Sequence, residues 1–241
     1  MHYLYDHRGS LPAFMVMTDG KKPDIRLAKN EKKLDFHLLP DSIISVDRAY
    51  IDFEWLFRLD QCQVWFVTRA KTSMQYRIVG QHQPIDHPQV IRDDEIELIV
   101  EKTRKKYPKS LRLVCYTDPE TKKDYTFITN NMKLSASTIA AIYKSRWQIE
   151  LFFKWIKQNL KIKSFLGTSQ NAVLSQIWVA MCYYLLLSYI KFQTKYSYSL
   201  QDLTRMIASV IMEQRLIIDI LSLNERSLKK VRDPVSQLCL F

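Results

Sequence analysis

The stretch Tyr143-Lys144-Ser145-Arg146-Trp147-Gln148-Ile149-Glu150-Leu151-Phe152-Phe153-Lys154-Trp155-Ile156-Lys157 decides how the rest of the chain is read. It holds no glycine or proline, and strong helix formers fill most positions, so it predicts a helix. At about 100° per residue, steps of three, seven and fourteen from Tyr143 return near the starting angle. Tyr143, Arg146, Glu150 and Lys157 therefore share one stripe within about 60° of arc. Elsewhere the segment is apolar almost all round, with Trp147, Ile149, Leu151, Phe152, Phe153, Trp155 and Ile156. That pattern belongs to a mostly buried helix. Charge on a buried helix needs a partner, because desolvating it unpaired is costly. A metal ion and a nucleic-acid phosphate would serve. So would a simple i, i+4 ion pair between Arg146 and Glu150 on a solvated face.

Upstream, Ser42-Ile43-Ile44-Ser45-Val46 is an apolar run that ends in Asp47. It reads as a buried strand of a parallel sheet with an acid at its carboxyl end, the edge where α/β sheets build sites. An ordinary helix cap or turn would use the same residue. Asp52 then caps an amphipathic helix through Phe53, Leu56, Phe57 and Leu59, and Val64–Val67 returns as a strand, giving a βαβ unit. Residues 2–18 suggest a hairpin, and 24–34 a short helix. Residues 69–130 are β-rich: strands are expected at 76–79, 95–100, 111–116 and 125–129, with a hairpin turn at 118–123. The densest basic run is Lys102, Arg104, Lys105, Lys106 and Lys109. It reads either as a solvated loop or as a loop that meets phosphates.

Composition narrows the function. The 241 residues are 47% hydrophobic, enough for one large domain or a core with an insertion. A formal net charge of +11 points to a polyanionic partner. With only four glycines, the chain has neither of the glycine-rich nucleotide loops. Cys62, Cys115, Cys182 and Cys239 are scattered, which disfavours a zinc ribbon or disulfide frame and suits a reducing cytoplasm. Ala172–Ile190 carries no charge over 19 residues. It is read as a helix buried against a sheet rather than a membrane span, with Thr168 or Ser169 as its cap.

The spacing Tyr-x2-Arg-x3-Glu-x6-Lys resembles the YREK signature of DDE transposases of the insertion-sequence-4 family. The strings VDRAYIDFEWLF (46–57) and FVTRAK (66–71) resemble the segment around that family's second catalytic aspartate, with Asp47 as the matching residue. Residues 161–178 add to the likeness, which covers about residues 1–190. The resemblance implies an α/β fold: a ribonuclease-H-like mixed sheet flanked by helices and interrupted by a β-rich insertion. The split core would comprise 1–68 and 131–200, the insertion 69–130, and a helical tail 201–241.

The resemblance further implies DNA transposition by strand cleavage and transfer. Asp47 and Glu150 would hold Mg²⁺ or Mn²⁺, and Tyr143, Arg146 and Lys157 would hold DNA phosphates. The partners would be element ends, target DNA and other copies in a synaptic complex, with no membrane. The family uses three acids, and the first lies upstream of the hairpin that residues 2–18 resemble. None of Asp6, Asp19 and Asp24 matches that position. The expectation is therefore a truncated transposase, short of one sheet strand and weak or inactive. The alternative is a non-catalytic DNA-binding remnant that interferes with an intact copy.

Overall fold

Neighbouring residues on the middle strands face opposite ways, and both faces are apolar. Phe66 and Val67, Leu113 and Val114, and Ile128 and Phe127 are buried pairs whose members enter different cores. Such strands must be covered on both sides. The computed structural model describes residues 2–6, 11–16, 38–82, 87–159, 167 and 169–210. It divides into two compact units between Gln148 and Ile149.

In the first unit β1 (His2–Asp6) and β2 (Leu11–Val16) pair as the expected antiparallel hairpin. A mixed sheet follows, built from β3 (Ile43–Val46), β4 (Trp65–Arg69), β5 (Tyr76–Gln81), β6 (Val90–Leu98), β7 (Leu111–Thr117) and β8 (Asp124–Thr129). Its order is β3-β4-β8-β7-β6-β5, and only β3 and β4 run parallel. Helix α1 (Phe53–Gln61) connects them, its start capped by the Asp52 carboxylate, which accepts from the amides of Glu54 and Trp55 at 3.1 Å. Trp55, Leu56 and Leu59 bury its inner face against one side of the sheet. On the other side lies α3 (Ala136–Ser145), through Ala136, Ile139 and Ala140. The result is the α/β, ribonuclease-H-like arrangement of a mixed sheet flanked by helices. The strands of residues 69–130 hydrogen-bond into the same sheet as β3 and β4.

Three local expectations change. β3 is an edge strand among the described residues rather than a buried one, and Ile43 is 40% exposed. β6 starts at Val90, five residues before the expected 95. Arg92, Asp93 and Asp94 look like turn residues, but Arg112 neutralises Asp93 inside the sheet. The basic run after it is in part a helix, α2 (Glu101–Lys106), not a loop. An i, i+4 pair between Glu101 and Lys105, at 2.6 Å, supports that turn.

The second unit is helical: α4 (Trp147–Asn159), whose first two residues precede the boundary, α5 (Gln170–Thr194) and α6 (Leu200–Val210). Ser169 caps α5 by accepting from the Ala172 amide. Within this unit, among the described residues, α5 packs against helices. Leu187 and Ile190 meet Leu203 and Ile207 of α6, and Tyr184 meets Phe152 and Trp155 of α4. By length and composition α5 is the one helix among the described residues able to cross a membrane. Residues 24–34 and 211–241 lie outside the described residues, and with them the short helix and most of the tail.

Candidate active site and nucleic-acid interface

The site begins where β3 stops. Val46 is opposite Thr68, so one step further Asp47 and Arg69 leave the carboxyl ends of two parallel neighbours together. Asp47 is extended (φ −69°, ψ 156°) and precedes a 3-10 turn, Arg48–Tyr50. Its backbone carbonyl accepts from the Tyr50 amide, but its side chain caps nothing. The ordinary cap role is therefore not what holds this acid. Its carboxylate is 49% exposed and lies 3.3 Å from the Arg146 guanidinium.

Arg146 reaches it from α3, whose entry is fixed by buried polar contacts. Arg112, fully buried on β7, donates to both carboxylate oxygens of Asp93 at 2.7 Å. It also donates to the carbonyls of Asn131 and Leu134. The Asn131 side chain accepts from the amides of Lys133 and Leu134 at 2.9 Å, and Ser135 caps the helix through the Thr138 amide. Sheet, loop and helix start are thus tied together, which sets the angle at which α3 delivers Tyr143 and Arg146.

The expected single helix over 143–157 is broken. α3 ends at Ser145, Arg146 is its cap, and α4 starts at Trp147. The Ser145 hydroxyl donates to the Ile142 carbonyl at 2.6 Å, and the Arg146 amide bonds Tyr143 in a tightened i→i−3 turn. Tyr143 and Arg146 stay with the sheet, whereas Glu150 and Lys157 belong to the second unit. There they sit in the first and last turns of α4, the ends that suit an acid and a base respectively. Seven residues apart, they share a face of α4. Nor is the helix buried all round: Phe152 and Ile156 are inside, but Trp147 is 57% exposed.

A line of rings joins two guanidiniums across the first unit. Arg69 lies 5.0 Å over the Tyr125 ring, and Tyr125 stacks on Phe127. Phe127 meets Tyr143 at 4.8 Å, and Arg146 lies 5.5 Å over Tyr143. Burial pushes the Tyr143 phenol above its ordinary pKa, with the Arg146 charge opposing in part. The phenol is therefore a hydrogen-bond donor at neutral pH. Arg69 was not singled out from the sequence. The parallel register that puts it beside Asp47 was the available signal. Among the described residues no group of three acids, histidines or cysteines gathers as a metal cluster.

The chain is similar to known proteins over most of its length. The family profile described as "Transposase DDE domain" matches residues 1–186. The chain is 36% identical over 193 residues to "Putative transposase y4zB" of Sinorhizobium fredii, covering 78% of this chain and 52% of that protein. It is 30% identical over 200 residues to "Probable transposase for insertion sequence element IS5377" of Geobacillus stearothermophilus, covering 81% and 50%. The chain thus spans about half the length of these curated relatives.

Proposed function

Because this chain belongs to the transposase DDE domain family, we propose that it serves DNA transposition through metal-dependent strand cleavage and transfer. In this reading Asp47 and Glu150 hold the divalent ions, Mg²⁺ or Mn²⁺. Tyr143, Arg146 and Lys157 hold phosphates of element-end and target DNA in the cytoplasm, with further copies of the chain in a synaptic complex. The observation that carries it is Arg146, which lies between an uncapped strand-end acid at 3.3 Å and the face of Tyr143 at 5.5 Å.

The acids suit the ions. Hard cations of this kind take oxygen ligands and keep several waters, so few carboxylates are needed. The Asp47 side chain serves no helix and is open on one side. When bound, paired divalent ions activate an attacking oxygen and stabilise the leaving one. The chain's own groups position the DNA. The guanidinium of Arg146 is a planar fork of five N–H donors, so it can bridge Asp47 and a phosphate at once. Tyr143 supplies a directional O–H, and Lys157 a mobile point charge. Trp147, exposed beside Arg146, offers a ring face to an unstacked base.

A second reading is a domain that binds DNA without chemistry and interferes with an intact copy by mixed assembly. It is favoured by the pairing of Asp47 with Arg146, which already neutralises the acid. Incubation of wild type, Asp47→Asn and Glu150→Gln with element-end DNA and Mn²⁺ separates the two. Cleavage by wild type above that of both variants, however slow, supports the catalytic reading. Equal products from all three, with DNA binding intact, support the second.

A further inference from the structure

The geometry points to a second phosphate subsite, built where the chain leaves β4 and packs beside α2. It would take a backbone phosphodiester of the bound DNA, away from the reacting bond, and it rests on the DNA-acting reading above. A cavity of about 300 Å³ opens there, and Lys71, Ser73, Lys102, Thr103 and Lys106 are among the residues that line it. The cations of this region are not equivalent. Lys105 and Lys109 are neutralised by Glu101 and Asp60, each at 2.6 Å. Lys102 makes no ion pair among the described residues, and Lys106 has only a long one to Glu54, 3.8 Å. Lys71 makes one 3.3 Å bond to the Ile51 carbonyl, which leaves two of its three donors for a ligand. The cavity's one acid, Asp52, is engaged by the α1 amides. Three lysines against one engaged carboxylate in the lining make an anion site.

Its place selects the anion. Lys71 is two residues beyond Arg69, and the Ile51 carbonyl it bonds is four residues beyond Asp47. The cavity therefore continues the strand-end edge that carries Asp47, Arg69 and Arg146. A DNA backbone lying on that edge would reach both places, whereas a free nucleotide would have no use for the continuity.

Fluorescence anisotropy of the full chain with a labelled duplex, across a range of salt concentrations, tests this. The probe variants are Lys102→Gln with Lys106→Gln. The control, Arg104→Gln with Lys105→Gln, makes the same charge change on the same helix but outside the cavity. Each lost phosphate contact lowers the salt slope by about 0.9, so the probe pair is expected to lower it by about 2 and the control by less than about 1. Lys71→Gln, outside α2, lowers it by about 1 without disturbing that helix. Equal shifts from probe and control overturn the subsite and leave the transposition reading standing. Unchanged duplex affinity with tight binding of a mononucleotide at the cavity also overturns it. A wild-type chain that binds no duplex overturns both.

Discussion

At the scale of single residues, Arg146 joins the strand-end acid to the aromatic line. It is 20% exposed and meets an acid and an aromatic face together. Lysine cannot reproduce a flat, bidentate, stacking group. Arg146→Lys is therefore expected to weaken DNA binding by about tenfold, similarly for every duplex sequence, since phosphates carry no sequence information. Anisotropy on several unrelated duplexes reads this. A loss confined to one sequence would point to base contact instead. Two tyrosines give a pH signature. Burial raises Tyr107 well above the tyrosine range and raises Tyr143 by a smaller amount. A raised folded pKa contributes stability that is fully present below the unfolded value of about 10 and is lost as pH rises through the folded value. Stability should therefore decline in strong base, and the Tyr107 phenol should ionise only as the chain unfolds. Absorbance at alkaline pH alongside circular dichroism checks it. The Tyr107 hydroxyl is also buried with no hydrogen-bond partner among the described residues, while its ring packs edge-on to Phe57 and Phe66. Tyr107→Phe removes an unsatisfied group and keeps the ring, so it should leave stability unchanged or raise it by up to about 1 kcal/mol in urea unfolding.

At the scale of elements, α3 is held by its approach more than by its own helix propensity. Arg112→Met alone leaves Asp93 charged and buried without its partner, which is expected to cost about 3–5 kcal/mol. Arg112→Met with Asp93→Leu should recover most of that, because two apolar groups need no pairing. Urea unfolding of the three variants measures it. Equal losses in the single and double variants would show that the bonds to Asn131 and Leu134, not the ion pair, dominate. Such a device is hard to read in a sequence. Arg112 sits in a strand as any surface arginine would, and its partner is 19 residues away. The break at Ser145 is equally quiet, since serine in a helix is common and only its bond to the Ile142 carbonyl marks the stop. By contrast, the β3-α1-β4 unit was legible, because its apolar runs and the Asp52 cap act within a few residues.

At the scale of the whole chain, the mixed sheet follows from strands apolar on both faces, and the basic balance of +11 suits the polyanionic partner proposed above. The candidate residues were legible as a spacing. Their division between two units was not, because a spacing assumes one continuous helix, and the helix stops at Ser145. The proposed function gives Asp47 and Glu150 one role, to hold divalent ions. The most direct measurement is duplex affinity with and without Mg²⁺ at constant ionic strength, for wild type, Asp47→Asn and Glu150→Gln. The metal is expected to tighten binding by wild type and to do little for either variant, since each lacks one acid that would hold the ion against the phosphates. The same response to metal in all three proteins would contradict that expectation.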